Sequence, residues 1–401
     1  MDNLEHGFTI DSAKCIGCME CMRSCPTSAI RVKKGKAFVR PELCVDCGRC
    51  LSVCPVHAIE ARTLNYEQLG NFKYRVAIPS PVLFSQFSRN DTPPKIASAL
   101  KDIGFDEVWD FSVEIELVNR AIKETVENWQ GSFPLISSSC PVVVRALQVL
   151  YPTMVSQVLP VEVPREIAGR EMKKRLSKKL GLEPHEIAAI YITPCQAKSI
   201  SILQPAEEEK SYLDGGVGIS EIYNDLLYAL RKRSREEGNA EPDEPVFGSS
   251  HVLSWGVTEG QAHNLSEHRY LPLTGLDNII KVFDDIERGK LRNIDFIECY
   301  ACAGGCIGGN LTVDNLYVAR SKLMYIIANR SEPSAAFRGE VNARYPDTDF
   351  SLKAAVKPRS HTARGMGLAE RVKMRKRASE IENRLPGLKC GLCGAPNCHD
   401  H

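Results

Sequence analysis

Cysteine is the residue type on which the chemistry of this chain turns, and its spacing sorts the sites. From Glu298 to Asn310 the sequence reads ECYACAGGCIGGN, which sets Cys302 and Cys306 with three residues between them, two of them glycine. Thiolates at that spacing can hold two corners of one metal cluster, and glycines let the backbone come close to it. Two cysteines make half of such a site. Outside the local cysteine motifs at the two ends, only Cys140 (SSSCP) and Cys195 (ITPCQAK) remain upstream. Cys140, Cys195, Cys302 and Cys306 are therefore expected to form one four-thiolate site drawn from three separate segments. Cys299, beside them, reads as a small buried apolar residue rather than a ligand.

Residues 15–26 read CIGCMECMRSCP and residues 44–55 read CVDCGRCLSVCP. Each is C-x2-C-x2-C-x3-C-P, the run of the bacterial two-cluster ferredoxins, in which the fourth cysteine of each run serves the other cluster. Cys15, Cys18, Cys21 and Cys54 are thus expected to hold one 4Fe-4S cluster, and Cys44, Cys47, Cys50 and Cys25 the other. Zinc is the competing reading, but it closes with four ligands and gives no reason for two matching runs. The sequence ends CGLCGAPNCHDH, where Cys390, Cys393 and Cys398 make most of a further 4Fe-4S site. His399 or His401 could complete it. The simpler expectation is that the chain stops short of its last cysteine.

The elements that must position these thiols alternate along the chain. Short strands are expected at 29–32 and 58–61, one after each run, in a small duplicated electron-transfer unit. From Tyr74 the pattern changes. Strand-like runs at 74–79, 107–109, 134–136, 187–193 and 294–297 alternate with helical stretches, among them one from Pro94 and one over 141–150. That alternation argues an α/β domain with a largely parallel sheet, whose ligands gather beyond the carboxyl ends of the strands. Cys140, Cys195 and Cys302 each follow a strand-like run. Pro141 suits the first turn of a helix, with Ser138 or Ser139 as its cap, which would aim a helix N-terminus at an anionic cluster. A further helix is expected over 315–329, no clear periodicity over 331–362, and a basic connecting helix over 363–385. The charge runs at 207–210 and 231–237 read as solvated faces, and 239–245 as an exposed loop. His251, His263 and His268 lack paired ligand spacing and read as structural. The expected organisation is a two-cluster unit (1–62), a central domain (73–335), a linker with a basic helix (336–385) and a partial cluster motif (386–401).

A net charge of +1 over 401 residues recruits neither nucleic acid nor a membrane surface. Apolar runs such as VVVRALQVL are short and broken by Arg, and the opening MDNLEHGFT is polar, so neither a bilayer span nor a signal peptide is read. Sixteen cysteines, grouped mainly in C-x2-C series, with no export signal, argue metal binding in a reducing cytoplasm rather than disulfides.

In combination these motifs resemble the iron-only (FeFe) hydrogenases, over the ferredoxin-like unit and from about residue 74 to about residue 329. The three signatures of that family's catalytic domain are similar to Ser138-Ser139-Cys140-Pro141, Pro194-Cys195-Gln196-Ala197-Lys198 and Cys302-Ala303-Gly304-Gly305-Cys306. The resemblance implies an α+β two-cluster ferredoxin-like domain followed by an α/β iron-only hydrogenase catalytic-type domain. It implies that Cys140, Cys195, Cys302 and Cys306 hold the 4Fe-4S part of an H-cluster. Cys306 would also bridge to a two-iron subcluster carrying CO, cyanide and an azadithiolate, supplied by maturation proteins. Lys198 would hydrogen-bond a cyanide, and the reaction would interconvert H2 with protons and electrons. A redox protein such as ferredoxin would be the electron partner.

The departures from the family pattern sit at its proton path. Ser139 stands where catalytic members carry the relay cysteine, and a Ser hydroxyl is poorly matched to proton exchange near neutrality. Thr193 and Tyr300 stand where they have methionines, and Ile122 and Thr125 fall where relay glutamates are expected. A whole cluster site beside a weakened proton path resembles the sensory members, which share the C-terminal CGLCG-type motif and pass a signal to a downstream domain or protein. The leading expectation is an H2 or redox sensor of low turnover. The alternatives are a bidirectional hydrogenase with a different proton route, and a hydrogenase-like iron-sulfur assembly factor without the two-iron unit.

Overall fold

Each N-terminal cysteine run ends in a strand because the proline after its last thiol stops the helical turn and the apolar residues beyond it need cover. A computed structural model describes residues 5–64, 66–206, 210–236, 250–265, 267–329, 333–359 and 368–400. In it β1 (Phe8–Ile10) pairs antiparallel with β4 (Ile59–Ala61), and β2 (Ile30–Lys33) with β3 (Lys36–Val39). One helical turn lies inside each run, α1 (Glu20–Ser24) and α2 (Arg49–Val53). The core of this unit is small and partly made of cysteine: Met22, Ala29 and Ile30 pack with Cys21, Cys44 and Cys50. So little apolar mass argues that bound clusters supply much of the unit's stability.

The central domain carries two parallel sheets instead of one. The larger, in the order β6-β5-β8-β9, is built of β5 (Tyr74–Pro79), β6 (Glu107–Val108), β8 (Ile187–Thr193) and β9 (Gly215–Gly218). The smaller, in the order β10-β11-β7, is built of β7 (Leu135–Ile136), β10 (Tyr270–Thr274) and β11 (Phe296–Tyr300). β8 reads IAAIYIT and is buried along its whole length, as expected of a parallel strand covered on both faces. The helices α3 (Pro93–Asp102), α4 (Ser112–Asn128), α5 (Pro141–Leu150), α6 (Pro164–Leu180), α7 (Gln196–Leu203) and α8 (Ile219–Glu236) pack around these strands, followed by α9 (Ser250–Ser254) and α10 (Leu276–Glu287). The strand-like runs expected at 107–109 and 134–136 are present as the two-residue strands β6 and β7. Helix α11 (Leu316–Ala328) starts as expected, with the Asn315 side chain accepting from the Tyr317 amide at 2.9 Å.

The helix cap expected at Ser138 or Ser139 is corrected by the structure. Cys140 itself is the N-cap of α5, because the Ser138 hydroxyl donates to the Val161 carbonyl (3.1 Å) and that of Ser139 to Gln261 (3.1 Å). The stretch expected as a linker also folds in part. Helix α12 (Ala335–Arg344) lays Phe337 and Val341 against Val113 and Leu117 of α4, and Arg344 reaches the buried Glu114 carboxylate at 2.6 Å. Ser351 then bridges to Val161. The basic helix spans Leu368–Glu382. The expected runs at 207–209 and 239–245 lie outside the described residues.

Candidate metal centre

Two parallel sheets meeting at their carboxyl ends bring the four central cysteines together. Cys195 lies two residues past β8 of the larger sheet, Cys302 two residues past β11 of the smaller, and Cys140 follows β7. Cys306 opens a short 3-10 turn, Cys306–Gly308. Cys140 and Cys195 are N-caps of α5 and α7, so two helices present their unpaired amides and positive ends to the same spot. Gly305 has φ 107°, and a Cβ on it would lie 2.8 Å from the Gly256 carbonyl, so only glycine passes here.

Burial pushes the Cys140 thiol up, pushes Cys195 to about 11 and Cys302 well above its ordinary value; the charges of the neighbouring cysteines, Cys306 among them, add to each shift. Thiols that crowd and resist ionisation in this way are a set from which a metal displaces protons. Four thiols with no carboxylate or imidazole among them fit an iron-sulfur cluster. Lys198, three residues past Cys195 on α7, is buried with its Nζ 3.1 Å from Cys306 Sγ. Burial opposes its charge most, but Cys306, Tyr191 and Cys195 together outweigh that and hold the ammonium protonated. A buried cation beyond Cys306 fits an anionic extension of the site on that side.

Ser139, Lys198, Tyr300 and Cys306 line one cavity, together with Trp255 and Arg165. Its polar wall is a hydrogen-bonded group centred on Gln261. The Gln261 Oε1 accepts from Ser137 (2.6 Å) and Ser139 (3.1 Å), and its Nε2 donates to the Tyr300 hydroxyl (2.7 Å), which in turn donates to the Trp255 carbonyl (2.8 Å). Thr193 is not on that wall. Its hydroxyl is turned to the Cys195 carbonyl at 2.9 Å and steadies the turn that carries the thiol. Ile122 is packed in an apolar cluster, and the Thr125 hydroxyl is taken by its own helix at Ala121. Cys299 is fully buried among apolar side chains. Gln261 and Glu298 escaped the sequence reading. Glu298 carried a signal, since it lies two residues before Tyr300 and so on the same face of one strand.

In the N-terminal unit the thiols gather in the crossed sets. Cys21 feels Cys18, Cys15 and Cys54, while Cys44 and Cys47 feel Cys25. Backbone amides point at the sulfurs, with Ala29 N–H to Cys25 and Ala58 N–H to Cys54 at 3.2 Å each, a cradle suited to anionic clusters. The Cys44 set faces the central domain. Arg145 of α5 pairs with Asp46 with both side chains buried, Gln196 donates to the Asp46 carbonyl at 2.9 Å, and Asn310 donates to the Cys47 carbonyl at 3.1 Å. Gly48 has φ 73°, and a Cβ there would meet Asn310 at 1.9 Å. Cys302 lies within reach of the Cys47 charge, so the second set adjoins the central site. At the other end, Val32 N–H donates to the Gly394 carbonyl (3.1 Å) and Arg31 to the Asp400 carbonyl (2.8 Å), which seats the Cys390, Cys393 and Cys398 loop on the N-terminal unit.

A family described as the C-terminal domain of the iron-only hydrogenase large subunit matches residues 73–264 and 253–310, more than half of the chain; a 4Fe-4S dicluster domain matches residues 8–61. Iron hydrogenase 1 of Clostridium pasteurianum is 24% identical over 270 residues, covering 57% of this chain and 46% of that protein, so this chain spans about half of that relative's length. The periplasmic [Fe] hydrogenase large subunit of Nitratidesulfovibrio vulgaris is 27% identical over 368 residues, covering 76% of this chain and 86% of that protein. A probable cytosolic Fe-S cluster assembly factor of Caenorhabditis elegans, oxy-4, is 25% identical over 318 residues, covering 66% of this chain and 69% of that protein.

Proposed function

The chain belongs to the iron-only hydrogenase large-subunit family, and from that premise we propose that it is an H2-responsive oxidoreductase of low turnover, acting as a hydrogen or redox sensor. Cys140, Cys195, Cys302 and Cys306 would hold the four-iron part of an H-cluster, and Lys198 would face its cyanide-bearing part. When bound, that group supplies the iron at which H2 is taken up or released. The protein's own residues do the rest. Lys198 holds a positive charge at Cys306, and the set at Cys44, Cys47, Cys50 and Cys25 takes or gives electrons across the Asp46–Arg145 contact. Ferredoxin or a similar protein would be the electron partner, maturation proteins would supply the two-iron unit, and a downstream domain or protein would read the signal. The cysteines call for a reducing compartment, which we take to be the cytoplasm, although one matched relative is named periplasmic. No helix among the described residues is long and apolar enough to cross a membrane.

The observation that carries this reading is the cavity wall itself: a cation beside Cys306, but a hydroxyl at position 139 tied to Gln261 where a thiol could have exchanged protons. General acid–base groups typically supply about a hundredfold to ten-thousandfold in rate. Dye-coupled H2 production, measured on wild type and Ser139→Cys after identical maturation, should show a slow parent and a partial recovery. A parent as fast as a catalytic hydrogenase would favour the bidirectional reading. Similarity to the assembly factor keeps a third reading in view; the two complete ferredoxin motifs and the Lys198 cavity favour electron transfer over it.

A further inference from the structure

We propose that Glu298 is the proton station of the cavity at Cys306, reached from it through the Tyr300 hydroxyl and opening toward the surface at Glu259. This rests on the hydrogen-converting reading above. Glu298 is fully buried in the middle of β11. Its Oε2 accepts from the Ala262 amide at 3.1 Å, while its Oε1 is buried without a hydrogen-bond partner. Among the described residues no Lys, Arg or His is paired with it. A buried carboxyl with one free oxygen and no cation is poorly suited to a purely structural role, where an amide would serve without the cost of ionisation.

Its neighbours give it a role. Tyr300 lies two residues on along the same strand face, close enough that carboxyl and phenol act on each other, and its hydroxyl is on the cavity wall that Cys306 and Lys198 share. Gln261 fixes that hydroxyl and the Ser139 hydroxyl from one side chain. The charge of Glu259, an exposed residue two positions before Gln261, also reaches Glu298. The titratable groups bearing on Glu298 are thus Tyr300, Glu259 and the thiol of Cys299. Burial lifts the Glu298 carboxyl to about 7, where a group can both take and release a proton with little loss.

The transfer is balanced within the chain. The Tyr300 hydroxyl would first turn from the Trp255 carbonyl to the free Oε1 of Glu298. Its O–H then breaks as an O–H forms on the carboxylate, and a proton from the cavity side replaces it on the phenolic oxygen. The carboxyl then loses its proton toward Glu259 and the solvent. Nothing is oxidised or reduced in these steps.

The test has two parts. In the chain with its iron-sulfur clusters but not yet matured, infrared difference spectra across a pH titration should contain a protonated-carboxyl band that fades near neutral pH and is missing in Glu298→Gln. In the matured protein, Glu298→Gln should keep the CO and cyanide bands and their response to H2, lose on the order of a hundredfold in turnover, and flatten the pH profile between about 6 and 8, with Glu298→Asp recovering part. An absent carboxyl band, or unchanged turnover and pH profile in Glu298→Gln, would overturn the proposal. A wild-type protein without CO and cyanide bands would overturn the hydrogenase reading and the station with it, a result told apart by the missing bands themselves.

Discussion

Replacing Arg145 by methionine should cost this protein more than any other single change at the seam between its two cluster-bearing parts. The Arg145 guanidinium is 1% exposed and the Asp46 carboxylate it meets is wholly buried. Asp46 also takes the Gly7 amide at 2.9 Å and stands 3.4 Å from His6 Nδ1. Burial alone would raise the Asp46 carboxyl, but His6 and Arg145 together hold it below its ordinary value. Its stabilising contribution is therefore present above the unfolded-state value of about 4 and is lost as pH falls through the lower folded value. Removing one partner of a buried pair typically costs about 3–5 kcal/mol, because the other is left as an uncompensated charge. The side chains of methionine and arginine are similar in length, so little packing is lost. The assay is an anaerobic guanidinium titration followed through ferredoxin-cluster absorbance and tryptophan fluorescence. Arg145→Met should fall by about 3–5 kcal/mol at pH 7, and Arg145→Met with Asp46→Asn by less than half of that. Single and double variants both within about 1 kcal/mol of wild type would refute the argument, since only exposed pairs behave so.

Cys302→Ala should remove the central cluster and leave both ferredoxin-type signals in the electron paramagnetic resonance spectrum, because the thiols bearing most on Cys302 are Cys195, Cys140 and Cys306 of the central domain, with Cys47 the weakest; loss of the ferredoxin signals would contradict the site assignment. Cys54→Ala should damage the cluster served by Cys15, Cys18 and Cys21, and damage confined to the Cys44 set would contradict the crossed arrangement. Glu298 adds a stability signature. Its carboxyl is raised from 4.5 to about 7, so the native state binds more protons than the unfolded one in that window, and stability falls as pH rises through it. Glu298→Gln lacks this loss, so its stability relative to wild type should grow between about pH 4.5 and 7 by up to roughly 3 kcal/mol. A difference that does not change with pH would show that the carboxyl is not perturbed.

Much of this architecture could be read from cysteine spacing because thiolate clusters impose it. A four-iron cluster needs four sulfurs at fixed separations, so runs such as CIGCMECMRSCP and a pair such as Cys302 and Cys306 leave few arrangements. The parallel character of the central domain was legible for a similar reason: β8 is an unbroken apolar run that only a doubly covered strand allows. What escaped were features without a local pattern. The split into two sheets depends on which strands pair, and β7 offers only two residues to read. The clasp of α12 over α4 rests on Arg344 meeting Glu114, 230 positions apart. The Gln261 network joins Ser139 and Tyr300 from three segments, and no periodicity announces it. Ser138 and Ser139 had the right chemistry for a cap, but partners from distant segments claimed their hydroxyls first.

We propose that a whole cluster site is kept here beside a cavity wall that carries the Ser139 hydroxyl where a thiol could have relayed protons. Infrared spectra of the matured protein under argon and then under H2 test it most directly, read together with turnover on the same sample. The matured protein should show CO and cyanide bands, a reversible shift of those bands under H2, and turnover orders of magnitude below a catalytic hydrogenase treated alike. CO and cyanide bands absent from the matured protein, or bands that ignore H2, would contradict it.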